Sequence, residues 1–278
     1  MKKKTKILLP LIGAAAAAAG TLGYIVAPGR AKRRLKQPFK YRNIAHRGLH
    51  LKDKSVPENS LAAFKRAAEA GYGIELDVQL SKDGYVVVFH DDTLNRVCGV
   101  NAKVCDKTLE ELKKMSLCGT AETIPLFSEV LSLVDGRSPF IVELKTGKRN
   151  KELCEKTWAL LKEYKGEYCI ESFNPFIVRW FRKNAPQVLR GQLASPPADY
   201  KGETNKLTGF ILGNLLLNFL ARPQFIAYKI VDKKPFTVRL CEAMGAMRVC
   251  WTSHDKASEE RNDTVIFEFY KPSIKYKD

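Results

Sequence analysis

Paired cysteines are what this 278-residue sequence lacks: Cys98, Cys105, Cys118, Cys154, Cys169, Cys241 and Cys250 are seven in number and form no CxxC. That pattern excludes a disulfide framework and a zinc site, and it leaves most of them as small buried apolar residues, pointing weakly to a reducing compartment. Internal repeats are absent, and the one low-complexity tract is a run of alanines. Acidic residues are absent from the first 42 positions, which hold eleven Lys and Arg; subtracting these from the net charge of +17 leaves +6 for the remainder. Basicity is therefore concentrated at one end. With few aromatic residues beside the basic clusters to stack on bases, nucleic acid is not an expected partner.

Between the two basic clusters, Ile7 to Pro28 is uncharged and rich in Ala, Leu and Ile. A helix of those 22 residues, at about 1.5 Å each, just crosses a hydrocarbon core of roughly 30 Å. Residues 1–37 therefore read as a hydrophobic anchor with basic flanks, and the expected localisation is membrane-associated through a single N-terminal span. A cleaved secretory signal is the competing reading, opposed by the length of the stretch and by the stop-transfer cluster Arg30, Lys32, Arg33, Arg34 and Lys36. Both flanks are basic, so the positive-inside rule does not orient the span, and only the free cysteines tilt the remaining residues, 38–278, towards the cytoplasm.

Beyond residue 42, strand-like apolar runs alternate with helix-like amphipathic ones. Strands are predicted at 43–45, 74–78, 86–90, 140–144, 168–172, 189–192, 225–228, 247–251 and 265–267, with helices such as Leu61 to Ala70 and Lys151 to Tyr164 between them. Asn59 and Ser60 are placed to cap the first of these helices, and Gly71 to end it. The alternation predicts an α/β fold, a TIM (β/α)8 barrel, and the length suits one such domain. From Leu80 to Pro125 the rhythm breaks into a hairpin at Asp83-Gly84, a cysteine-bearing loop and a helix near Thr108 to Met115, which reads as a small insertion. Leu207 to Ala221 is nearly all apolar and too short to span a bilayer; it is a buried barrel helix or an interfacial segment.

Chemistry concentrates at predicted strand ends. Glu75 and Asp77 lie two apart on one strand and so share a face, and two such carboxylates repel unless a cation sits between them. Hard oxygen donors favour Mg²⁺ or Ca²⁺ over zinc. Glu143 and Lys145 repeat the spacing, either completing a metal site or forming a plain ion pair. His46 and His90 end two apolar strands, where barrel enzymes keep catalytic groups, and imidazoles there can exchange protons at neutral pH. Arg47 has the fork geometry for a phosphate.

In order, His46-Arg47-Gly48, Pro57-Glu58-Asn59-Ser60, Glu75-Leu76-Asp77, His90-Asp91, Glu143-Leu144-Lys145, Ser172-Phe173 and Trp251-Thr252 closely resemble the glycerophosphodiester phosphodiesterase family. The resemblance implies a TIM barrel with a small insertion after the second strand. It implies metal-dependent hydrolysis of glycerophosphodiesters to sn-glycerol 3-phosphate and an alcohol. It further implies that Glu75, Asp77 and Glu143 hold a divalent cation, Ca²⁺ or Mg²⁺, and that His46 and His90 are the acid/base pair. Arg47 and Lys145 would contact the phosphate, Glu58 would support substrate binding, and Trp251 would offer an aromatic face to the alcohol half. The alternatives are a membrane-surface phospholipase acting on lysophospholipids in lysophospholipase D or phospholipase C fashion, and a non-catalytic membrane-anchored barrel. Near the C-terminus, where many members read Thr-Asp-Pro after the last strand, this chain reads Val265-Ile266-Phe267-Glu268-Phe269-Tyr270, which departs from the family at the final strand.

Overall fold

The structure, a computed structural model, describes residues 16–277. A helix at 16–26 (α1) and a short turn of helix, α2 (Arg33–Lys36), precede β1 (Arg42–Ala45). There follow α3 (Leu61–Glu69), β2 (Gly73–Leu80), β3 (Val86–Val88), α4 (Asn95–Cys98), α5 (Leu109–Lys113), α6 (Phe127–Val134) and β4 (Phe140–Leu144). The chain continues through α7 (Asn150–Leu161), β5 (Tyr168–Ser172), α8 (Pro175–Asn184), β6 (Leu189–Ala194), α9 (Lys206–Gly213) and α10 (Asn218–Ala221). It ends with β7 (Phe225–Lys229), α11 (Phe236–Ala243), β8 (Met247–Ser253) and β9 (Thr264–Phe267).

Eight of the strands are parallel and close on themselves. Each pairs with its neighbour from β2 through β4 to β9, and β1 pairs with both β9 and β2. The barrel follows from two-sided burial, because strands covered on both faces read as continuous apolar runs. In β2, Ile74, Leu76 and Val78 face the helices with Phe64, Ala67 and Phe127. The opposite parity faces inward, where Ile44, Ile141, Cys169, Leu189, Phe225, Val249 and Ile266 form one core. Phe39, on the approach to β1, buries its ring in that inner core and closes the N-terminal end of the barrel.

Three features depart from the predicted pattern. The run at 86–90 forms only the three-residue β3, antiparallel to β2 and outside the barrel wall. It belongs to the insertion, which has its own small core of Val87, Phe89, Leu94, Val97, Val104, Leu112, Leu117 and Ile124. Between β8 and β9 a single 3₁₀ turn, Lys256–Glu259, replaces a helix. The C-terminal stretch straps the outside of β1 instead, with Asn43 N–H donating to Ile274 O and Tyr276 N–H to Tyr41 O. Finally, 207–221 is two short helices broken near Leu215 at φ 57°. Leu215 and Ala221 are buried, whereas Leu207 and Phe210 are exposed.

The expected membrane span is overturned. No helix among the described residues is long and apolar enough to cross a membrane. Residues 7–15 of the predicted span lie outside the described residues. The described part of the span includes α1. Its end is stitched to the barrel base. Val26 is buried, Asn218 Nδ2 donates to Val26 O at 3.1 Å, and Arg222 Nη1 donates to Tyr24 O at 2.7 Å. The apolar residues at 24–29 thus have a protein surface to pack on, and the anchored localisation falls with the span.

Candidate active site

Inward parity carries a ring of polar residues to the C-terminal ends of the strands, above the apolar core. There a cavity of about 1050 Å³ is lined on one side by His46, Arg47, Glu75, His90, Glu143 and Lys145. Its other side includes the apolar side chains Phe173, Leu193, Tyr200, Leu212 and Trp251. The rings of Phe173 and Trp251 meet edge to face at 5.8 Å, and Trp251 Nε1 donates to Ala227 O at 3.2 Å.

Glu75, Asp77 and Glu143, all buried, each offer an oxygen within 4.8 Å of the others. The register explains this, since Asp77 on β2 lies directly opposite Glu143 on β4. Burial, then Asp77 and Glu143, push Glu75 well above the usual carboxyl range. Burial likewise raises Glu143, although Lys145 opposes it. Burial works on Asp77 in the same direction, but Lys145, His90 and Arg47 outweigh it and hold that group well below its ordinary value. Lys145 Nζ lies 3.0 Å from Glu143 Oε1 and 3.4 Å from Asp77 Oδ1. The Arg47 backbone N–H donates to Glu75 Oε2 at 2.9 Å and Asn59 Nδ2 to Asp77 Oδ2 at 2.9 Å, while buried Asp77 Oδ1 has no hydrogen-bond partner among the described residues. Three mutually repelling hard oxygens, one of them without a hydrogen bond, fit a divalent cation.

Each imidazole is backed by a carboxylate. His46 Nδ1 is 2.6 Å from Glu268 Oε1, which leaves Nε2 on the cavity side, 3.8 Å from Glu75 Oε2. Burial lowers the pKa of His46, with Glu268 acting against it. His90 Nδ1 is 2.6 Å from Asp91 Oδ1, and Arg96 Nε in turn donates to Asp91 Oδ2 at 2.7 Å. Arg96 also donates to both oxygens of Glu58, which accepts from Arg47 Nη1 at 2.7 Å. Against the effect of burial, Arg96 and Arg47 draw Glu58 down to about 2. A relay of ions therefore runs from His90 through Asp91, Arg96 and Glu58 to Arg47.

The predicted residues His46, Arg47, Glu75, His90, Glu143, Lys145 and Trp251 all line the cavity. Asp77 sits within the acidic trio, and Glu58 stands behind Arg47, bridging it to Arg96. Of the proposed caps, Ser60 accepts from Ala63 N–H at the start of α3, while Asn59 turns to Asp77. Sequence reasoning missed Glu171, Glu268 and Arg96. Glu171 carries the same signal as Glu75, an acid at inward parity in an apolar strand, and it lies opposite Glu143 in register. Glu268 follows the last strand, where the departure from the family pattern hides it. Arg96 lies in the insertion, whose path no periodicity fixes.

The profile of the glycerophosphoryl diester phosphodiesterase family matches residues 46–267. A glycerophosphodiester phosphodiesterase of Caldanaerobacter subterraneus subsp. tengcongensis is 44% identical over 163 residues, covering 54% of this chain and 65% of the relative. Another, from Bacillus altitudinis, is 44% identical over 109 residues, covering 37% and 43%. The matches thus span less than two thirds of either relative's length. Among solved structures, a phosphodiesterase from Oleispira antarctica in complex with its product sn-glycerol-3-phosphate is similar in fold, with a TM-score of 0.66 and 24% identity over 82% of this chain and 93% of that one.

Proposed function

The chain belongs to the glycerophosphoryl diester phosphodiesterase family, and on that premise we propose that it hydrolyses glycerophosphodiesters to sn-glycerol 3-phosphate and an alcohol, with residues 38–278 as the catalytic unit. The observation that carries this reading is the disposition of the two backed imidazoles, which lie beside the acidic trio with Arg47 and Lys145 in one cavity.

In this reading Glu75, Asp77 and Glu143 hold a divalent cation, Ca²⁺ or Mg²⁺, which supplies Lewis-acid stabilisation of charge on the phosphoryl oxygens. Arg47 and Lys145 bind the same oxygens, Arg47 through its planar fork and Lys145 as a point charge. Glu58 and Arg96 fix the Arg47 guanidinium. One imidazole accepts the proton of the glycerol 2-hydroxyl at Nε2 as that oxygen attacks phosphorus. The other donates a proton to the oxygen of the departing alcohol. Water then opens the resulting cyclic phosphate, with the proton transfers reversed. Glu268 and Asp91 hold the Nδ1 side of each ring so that Nε2 faces the substrate. Trp251 and Phe173 flank the alcohol half, where an aromatic face attracts a choline-like cation.

Replacing His46 or His90 by Ala is expected to lower kcat on glycerophosphocholine by about 10²–10⁴-fold while the circular dichroism spectrum is unchanged. Parent-like turnover by either variant, with Ca²⁺ or Mg²⁺ present, would sink the assignment. A second reading, cleavage of lysophospholipids, draws on the apolar lining residues Leu212 and Leu217 and on Phe176, which is exposed at the rim. Comparing lysophosphatidylcholine with glycerophosphocholine separates the two.

A further inference from the structure

Glu171 is a buried acid of the cavity to which the reaction above gives no task. It lies on β5 at inward parity, only 1% exposed, and it lines the cavity. Its Oε2 has no hydrogen-bond partner among the described residues. Its neighbours differ: Glu75 accepts from the Arg47 backbone, Asp77 from Asn59, and Glu143 pairs with Lys145. Glu171 is also outside the trio whose oxygens come within 4.8 Å of one another. A buried carboxyl left unpartnered is costly, and such groups are satisfied by a ligand where one binds.

Position selects the ligand group. Glu171 stands between Glu143, its register partner on β4, and the apolar wall that includes Phe173 and Leu193. It is almost inaccessible, whereas Phe176 at the rim is 57% exposed. Only a small polar group reaches that depth. The alcohol half of a glycerophosphodiester varies in bulk and has the open mouth and the aromatic wall available to it. The glycerol half is small and carries free hydroxyls, the donors that a lone carboxyl oxygen lacks. We propose that Glu171 Oε2 accepts a hydrogen bond from the terminal hydroxyl of the substrate's glycerol half, the one that does not attack phosphorus, and so makes the site selective for glycerol diesters over diesters that lack that hydroxyl. The inference rests on the reaction proposed above. It holds for either form of the carboxyl, because both keep an accepting oxygen, and burial beside Glu143 and Asp77 pushes this group well above its usual range.

The test uses the full chain with Ca²⁺ or Mg²⁺, two diesters (glycerophosphocholine and 2-hydroxypropyl p-nitrophenyl phosphate, which keeps the attacking hydroxyl and lacks the terminal one) and the variants Glu171→Leu and Glu171→Gln. Losing a hydrogen bond to an acidic group predicts that Glu171→Leu lowers kcat/KM on glycerophosphocholine by roughly 10–100-fold. The same variant is expected to stay within about twofold on the diester without the terminal hydroxyl, bind the cation normally by calorimetry, and melt no lower than the parent, since an unpartnered buried group has gone. Glu171→Gln, nearly isosteric and keeping an accepting oxygen, retains most of the activity and covers the case in which the leucine variant does not fold. Equal losses on both diesters, or weakened cation binding, would overturn the proposal by assigning Glu171 to the cation. No loss on either diester would overturn it as well. A parent chain inert on both diesters overturns the reaction itself and this inference with it; an active parent with an indifferent Glu171→Leu removes the inference alone.

Discussion

Glu58 shows how much one side chain can carry without touching a substrate. Two guanidinium groups meet on it, and its side chain is only 15% exposed. Because its folded-state pKa is depressed to about 2, its stabilisation is complete above the unfolded value of about 4.3 and is lost as the pH falls towards 2. The shift corresponds to roughly 3 kcal/mol at neutral pH. Glu58→Gln is therefore expected to be less stable than the parent at pH 7, and the gap should close between pH 4.5 and 2 in urea unfolding. A gap that stays constant over that window would show that the Arg47–Glu58–Arg96 relay does not titrate as described. The same residue explains a limit of sequence reading: a carboxylate beside a motif invites a substrate role, and only the fold shows that it faces Arg96 from the insertion.

At the level of strands and helices, parity does most of the positioning. Gly191 on β6 lies opposite Glu171, and a Cβ there would come within 2.0 Å of the buried Phe225 ring. Gly191→Ala is expected to cost about 1–3 kcal/mol in chemical denaturation through overpacking of the barrel floor; an unchanged midpoint would mean the ring has room to move. The eight barrel strands are legible in the sequence because each is an apolar run bounded by turn residues. Glu75, Asp77 and Glu143 are legible because charge at period two in such a run has to face the barrel axis, and His46 because it ends an apolar strand. β3 is legible through the hairpin at Asp83-Gly84, although it is shorter than the predicted run at 86–90. The break within 207–221 is hidden, because hydropathy counts apolar residues without showing that Leu215 takes a positive φ. The N-terminal stretch misleads for a related reason: its composition gives a length, while only the fold shows Val26 buried at its end and held by Asn218.

Across the whole molecule, charge is distributed by height. The base takes the basic α2 and its flanks, and the opposite end gathers buried carboxylates whose mutual repulsion works against folding. A bound divalent cation should reverse that balance. At a hundredfold excess over Kd, binding contributes about 2.7 kcal/mol, which for a barrel of this size corresponds to a rise of about 5–10 °C in Tm. Calorimetric scans with Ca²⁺ or Mg²⁺ against chelator check this. Glu75→Gln is expected to melt higher than the parent in chelator and to respond weakly to either ion. A parent whose Tm ignores both ions would argue against a cation at the trio.

The ring of strands is sealed by its first and ninth members, and the groups that meet across that seal, His46 and Glu268, are 222 positions apart. Until the ninth strand docks, His46 is without the carboxylate that holds it and the cavity has an open flank through which water reaches the acidic groups. Closure of the ring is therefore the step that removes water from its most repulsive region. A partly made barrel is spared that strain, and it is also spared a half-formed site able to act on the wrong ester.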